Sequence, residues 1–258
     1  MTEFRREDLS GSTFEWVSLR DTVIDRVDFT GARVTSSRLH NVRMRNVELV
    51  NVDISGDVVN VVMNGVEVGP LIEAELDRQQ PLRAKMRPDT PAGFREAWAL
   101  LDGLWAETLA TASALPEADL HRSVRGEWSF IQTLRHLNFA TAAWVKRMVL
   151  GDPSPWHPLD LPWDEAPGWD GIPWDRDAKP SLAEVLAVRA ERHAAVRRVI
   201  DTLTDEHLTT RVTQTAPGWP QLEDYPLAQC LRIVVKEEFE HRGFAERDLA
   251  ALRDTTAT

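Results

Sequence analysis

The sequence predicts a two-part chain: a short repetitive segment followed by an antiparallel four-helix bundle. Two observations carry this. Apolar residues recur at every fifth position from Phe4 to Ile54, and beyond Pro91 four capped stretches of helical period follow. The 258 residues, 43% of them apolar, suit one large domain or two small ones and argue against a disordered chain.

Composition excludes several function classes. A net charge of −11 disfavours binding to a nucleic-acid backbone, which needs clustered Lys and Arg. No run of about 18 apolar residues occurs, so a membrane-spanning role is not expected. The start, MTEFRRED, has no apolar segment of signal-peptide type, and the single cysteine, Cys230, allows no intramolecular disulfide. A reducing, cytoplasmic location is the expectation. Basic residues are overwhelmingly arginine, with only Lys85, Lys146, Lys179 and Lys236 as lysines, which reads as the codon bias of a GC-rich genome.

The repetitive segment comes first. Phe4, Leu9, Phe14, Leu19, Ile24, Phe29, Val34, Leu39, Met44, Leu49 and Ile54 form the main series. A smaller one lies two positions earlier, at residues such as Ser12, Thr22, Ala32, Val42, Val47 and Val52. Neither a helix nor a strand has a period of five. The units VDFTG and VDISG resemble the pentapeptide-repeat family over roughly residues 2–60. That resemblance implies a right-handed, four-sided β-solenoid with the Leu/Phe series stacked inside, which makes the fold class multidomain β + α. Some pentapeptide proteins mimic nucleic acid with an acidic rod. Over residues 1–68, however, eight arginines against eleven acids leave only about −3, and about eleven repeats make a rod of roughly 14 Å at a strand spacing of about 4.8 Å. A packing or homodimerisation element is the better expectation for 1–68.

Residues 69–90 break the period. Gly65, Gly69 and Pro70 are punctuation, and PLIEAELDR reads as one short linker helix that caps the end of the repetitive segment. The bundle is assigned to 91–258. Thr90-Pro91 supplies an N-cap and a first-turn proline, and Phe94, Trp98, Leu101, Trp105 and Leu109 trace an apolar stripe. Ser129 with Gln132 is a capping box opening a second helix through Phe130, Thr133, Leu137, Ala140 and Trp144. Ser181 with Glu184 repeats that signature for a third helix running to about Leu203, and Pro226 opens a fourth, ending near Leu252. Between the second and third lies a Trp/Pro-rich loop, 151–180, with four tryptophans. A loop of that length is functional or disordered as a rule, and so much indole is hard to leave in water, so the loop reads as ordered, either as a lid or as a structural wrap.

VVKEEFEHRGF, 234–244, carries the chemistry. Cys230, Val234, Glu237, His241, Ala245 and Asp248 share one helical face that Val234 and Ala245 mark as core-directed. Glu238 and Glu240 diverge from it and are expected in solvent, with Arg242 and Arg247 as partners. An ionised carboxylate turned inward needs a cation, a hydrogen-bond network or a metal. His136, at the edge of the second helix's stripe, is the candidate third member. Two ligands one turn apart plus one from a facing helix suit a divalent metal with an open coordination position, and a structural His–Glu pair is the alternative.

GEWSFIQTLRHL and EFEHRGF also resemble the two signatures of the DinB-like four-helix-bundle superfamily, over about residues 91–253. Many members carry a His pair at these positions; this chain has Glu237 and His241, which resembles the mycothiol-dependent maleylpyruvate isomerase branch with its Glu-x-x-x-His. The resemblance implies a metal triad of His136, Glu237 and His241. It also implies a thiol S-transferase or isomerase that uses a low-molecular-weight thiol such as mycothiol against a small-molecule electrophile. Zinc suits the mixed His and carboxylate set, and nickel or manganese fits as well. The rival is a non-catalytic interaction protein whose solenoid binds a partner and whose bundle is a scaffold. The remaining candidates read as structural. Cys230 reads as a core residue ahead of a catalytic nucleophile, His157 as a backbone-bonded loop residue ahead of one lining a lid over the metal, and Arg247 and Asp248 as a surface pair ahead of substrate contacts. His40 occupies an outward position of the repeat, His121 precedes the second helix and is expected in solvent, and His193 and His207 carry no partner signal.

Overall fold

The computed structural model describes residues 3–256 except 36, 165, 170, 222 and 223; the outermost ends of the predicted domains, 1–2 and 257–258, lie outside the described residues. The chain divides into two compact units, one ending at Gly56 and the other beginning at Asp57.

In the first unit the five-residue period is written into the backbone. A residue with left-handed φ recurs at Arg6, Gly11, Trp16, Asp21, Arg26 and Gly31, and again at Asn41, Asn46, Asn51 and Gly56. Turns close with hydrogen bonds such as Ser12 N–H to the Leu9 carbonyl (3.0 Å) and Ala32 N–H to the Phe29 carbonyl (2.9 Å). Asp8 and Asp28 accept the backbone N–H groups of Ser10 and Thr30 two residues on, as Asx turns do. The expected inward stack is not present, since the series from Phe4 to Ile54 is 42–71% exposed. No strand occurs among the described residues of 3–56, and without a ladder joining successive turns the series has nothing to stack against.

The second unit is mainly helical. It opens with a two-residue hairpin, β1 (Val62–Met63) and β2 (Val66–Glu67), turned by Asn64-Gly65 with both φ values positive, the local chemistry that such a turn demands. Helix α1 (Gly69–Gln79) contains the predicted short helix and is followed by α2 (Pro81–Lys85). Arg83 ties the two together through Glu73 and Asp77, at 2.6 and 2.9 Å.

Four long helices form the core: α3 (Pro91–Ser113), α5 (Phe130–Thr141), α6 (Leu182–Asp201) and α8 (Leu227–Thr256), with short α4 (Glu117–Leu120) and α7 (Asp205–Thr209) between them. The start signals behave as read. The Thr90 side chain accepts from Gly93 N–H, and both capping boxes, Ser129/Gln132 and Ser181/Glu184, are closed. Pro226 ends a strand rather than opening the fourth helix; β4 (Asp224–Pro226) pairs with β3 (Arg211–Thr213), and α8 starts one residue later. Helix α5 runs on as a π-helical segment, Ala142–Val149, for which the sequence carries no local signal.

Helices α6 and α8 each pack against both α3 and α5, so α6 faces α8 across a diagonal of the bundle. One core cluster gathers Phe94, Trp98, Leu101, Phe139, Val196, Ile200, Leu231 and Val234; a second gathers Trp105, Leu120, Phe130, Ile131, Leu134, Leu137, Ala245 and Leu249. Across the diagonal lies the largest departure from the sequence reading. Glu238, expected in water, is 1% exposed and doubly bonded to Arg189, at 3.1 and 2.5 Å. His193, expected without partners, sits 3.4 Å from Glu238 and 3.5 Å from Asp102. Arg189 also lies over the Trp105 ring at 4.5 Å. Arg242 and Arg247, the partners expected for Glu238 and Glu240, instead bond Glu246 and Thr108, and Glu127 and Asp248, respectively.

Burial alone would raise the Glu238 carboxyl, but the charge of Arg189 and the hydrogen bond and charge of His193 overcome it and hold the group at about 2. A depressed acid stabilises the fold in full above its ordinary value of 4.5 and loses that contribution as pH falls toward about 2. In urea titrations the advantage of the native chain over Glu238→Gln should therefore be constant near neutrality and shrink below about pH 4.5. Glu238→Ala, which strands a buried guanidinium, should cost about 3–5 kcal/mol, and the double change Arg189→Met/Glu238→Leu should recover most of it.

Candidate metal centre

The candidate centre forms where α5 and α8 pack side by side. Ahead of α5, Arg125 and Gly126 both take left-handed φ values, and this turn delivers Trp128 to the residue before the Ser129 cap. His136 follows about two turns into α5. Glu237 and His241, one turn apart on α8, meet it as their i, i+4 spacing requires. One ligand atom from each of the three lies within 4.8 Å of the others.

Each imidazole is oriented by a backbone carbonyl. His136 Nδ1 lies 3.0 Å from the Leu161 carbonyl, and His241 Nδ1 lies 3.2 Å from the Glu237 carbonyl. A carbonyl only accepts, so Nδ1 carries the proton in both rings and each Nε2 keeps its lone pair. His136 Nε2 lies 3.5 Å from Glu237 Oε2, and the two rings stack with centroids 4.9 Å apart. Glu237 Oε2 is buried and lacks a hydrogen-bond partner among the described residues, although it sits 3.3 Å from His241 Nδ1. An orphaned carboxylate oxygen between two imidazoles is the arrangement that a divalent cation completes, so the residues present fit one. Side-chain exposures of 12% for His136, 31% for Glu237 and 19% for His241 leave the group reachable from solvent on one side.

The electrostatics agree with a ligand set. Burial raises the Glu237 carboxyl, but the neighbouring imidazoles of His136 and His241 outweigh it, and the group lies below the ordinary carboxylate value. Burial, aided by the charge of His136, lowers His241 and favours the neutral imidazole that a metal requires. Glu240 is raised by burial against the lowering charge of Lys236, with the like charge of Glu237 adding to the rise.

The Trp/Pro-rich loop is ordered where it is described. Its four indoles are half-buried, and Phe139 touches three of them, Trp156, Trp163 and Trp174, at 5.7–6.1 Å between ring centres. Arg135, fully buried beside His136, donates to the carbonyls of Leu159 (2.9 Å), Ala178 (2.7 Å), Arg176 (3.3 Å) and Asp175. In return the Arg135 carbonyl accepts Leu161 N–H at 3.2 Å. The loop thus acts as a stapled wall, and its Leu161 carbonyl aims His136. Trp128 closes another side, 4.6 Å from the His136 ring, with its indole N–H on Asp164 at 3.2 Å. Phe244 stands beside His241 at 5.9 Å and is half-exposed.

Trp128 lies inside the GEWSF stretch but carried no assigned role in the sequence, and its place one residue before a helix cap was the available signal. Nothing in the sequence points to Arg135 or to the Leu161 carbonyl, because a buried arginine bonded to backbone leaves no pattern. Cys230 is fully buried, and burial pushes its thiol up to about 12, as a core residue requires. His157 accepts Leu159 N–H, and Arg247 bonds Asp248. Among the described residues no helix is long and apolar enough to cross a membrane.

The family model of the DinB superfamily matches residues 100–245, and that of the pentapeptide repeats matches eight copies over residues 8–46. No curated protein and no solved structure matches the chain.

The full chain should bind one divalent ion, measured by zinc calorimetry and elemental analysis, and His136→Ala and His241→Ala should each weaken binding by about a hundredfold or more. Retention of the ion by both variants would remove the triad from consideration. Arg135→Met, which frees the loop without touching a ligand, should weaken it by about tenfold.

Proposed function

The chain belongs to the DinB superfamily, and from that premise we propose that it is a divalent-metal-dependent enzyme that activates a low-molecular-weight thiol, of mycothiol type, for attack on a small electrophile. The single observation that carries the reading is the buried, unpartnered Glu237 Oε2 between two imidazoles, in a group open to solvent on one side. His136, Glu237 and His241 would hold the ion, with zinc as the first choice. Held there, the ion would supply a lowered thiol pKa, so that a bound thiol would be thiolate near neutral pH.

The chain's own residues do the rest. The Leu161 and Glu237 carbonyls hold both imidazoles in one tautomer, so neither ring rotates away from the centre. Trp128 limits water on one face, while half-exposed Phe244 offers an apolar surface to the body of an electrophile. Glu237 contributes a negative charge that reduces the net charge of the site. In the same reading, the repetitive segment serves as a packing or homodimerisation element. The support for this is the eight-copy repeat match and the left-handed corner at every fifth residue.

The test is thiol conjugation. Protein stripped by chelator and protein restored with zinc are each incubated with mycothiol, bacillithiol or glutathione and monochlorobimane, and the fluorescent adduct is followed. Zinc should restore conjugation by one thiol, and His241→Ala should reduce it by about a hundredfold or more. An ion bound with no metal-dependent conjugation by any thiol would replace the enzyme reading with that of a scaffold holding a structural metal.

A further inference from the structure

A second site stands apart from the metal triad. A solvent-open pocket of about 390 Å³ lies between the π-helical end of the α5 helix, α6 and the start of the Trp/Pro-rich loop, and no triad residue lines it. Its volume falls in the range of about 300–1,000 Å³ that small-molecule sites occupy. Lys146, which lies nearly three turns beyond His136, lines it together with Trp156, His157, Val188, Glu191 and Arg192.

Arg192 makes this pocket more than a surface dent. Its side chain is 3% exposed, and among the described residues its one hydrogen-bonded partner is Asp160, at 3.3 Å through Nη2. Arg192 Nε and Nη1 are buried and lack hydrogen-bond partners among the described residues; the nearest acid to Nε, Glu191, lies at 3.7 Å. Guanidinium donors are rarely left unmet in a native interior, because each orphaned group costs its full desolvation. His157 adds a further donor: its Nδ1 accepts the Leu159 N–H at 3.1 Å, so the ring proton sits on Nε2. Lys146 supplies a second cation, bridged at 3.0 Å to the exposed Glu191 carboxylate. Trp156 and Val188 add apolar surface beside these polar groups.

We propose that this pocket binds a small organic carboxylate, its anionic end on Arg192, His157 and Lys146 and its apolar body against Trp156. A hydrophobic wall beside convergent donors is the usual construction of such a site. Occupancy is independent of the ion at the triad, because the two sites share no residue.

Benzoate is the probe, titrated by calorimetry into the full chain, with benzamide as the uncharged isostere. Binding should saturate for benzoate and be at least about tenfold weaker for benzamide. Lys146→Gln should weaken benzoate by roughly tenfold. Ala187→Trp, at an exposed position on the pocket rim, should abolish binding while leaving the thermal midpoint unchanged. Metal-stripped protein and His136→Ala should bind benzoate as the native chain does. The proposal is overturned if benzoate fails to saturate, which would mean that water alone fills the pocket. It is equally overturned if benzamide binds as tightly, if folded Ala187→Trp binds unchanged, or if binding disappears with His136→Ala. That last result would move the ligand to the triad and leave the thiol reading untouched.

Discussion

The helical unit depends on one buried ion pair. Glu238 on α8 and Arg189 on α6 meet across the diagonal of the bundle, in a region that also holds His193 and Trp105. Two charges in a low-dielectric interior attract strongly only when their geometry is good, and removing either strands the other. The pair therefore fixes the roll of α8 about its own axis. Adjacent residues on a helix are about 100° apart, so once Glu238 points to α6, Glu237 turns toward α5. The candidate metal centre follows from that orientation: His136 stands on the face of α5 that Glu237 and His241 then meet.

A second constraint fixes the other half of the centre. Arg135 is buried and gathers four carbonyls of the Trp/Pro-rich loop, and one residue on, His136 donates to a fifth, that of Leu161. A guanidinium presents five donors in a rigid fork, which suits a segment that has no strand or helix to satisfy its backbone. The loop needs this staple because its prolines cannot donate and its indoles must be kept from water. Neighbours in sequence thus divide the work: Arg135 holds the wall and His136 faces the site. The pairing at 237 and 238 repeats the pattern, with one residue bonded into the bundle and the next left for chemistry.

Much of this was legible in the sequence for local reasons. Caps, first-turn prolines and apolar stripes are encoded within a few residues of each other, and α3, α5, α6 and α8 begin where those signals place them, to within a residue. The i, i+4 relation of Glu237 and His241 is equally local, and His136 was singled out by its position at a stripe edge. The five-residue period likewise appears in the backbone as regular left-handed corners. Burial along that segment was not legible in the same way, since a period states where residues turn and not what covers them.

What the sequence determined by itself was therefore everything set by neighbours along the chain: helix starts, the spacing of the ligand pair, the turn chemistry of Asn64-Gly65 and the corners of the repeat. Only the tertiary structure decided that Glu238 goes in, that His193 has partners, that α5 runs on in a π register, and that a backbone carbonyl aims His136. The physical reason is distance along the chain. The partner that makes burying Glu238 tolerable lies 49 residues away on another helix, and the carbonyl that orients His136 lies 25 residues away in a loop. A helical wheel assigns one inward stripe per helix, whereas α8 has neighbours on two sides and a third partner across the bundle, so its inward surface is wider than any single stripe.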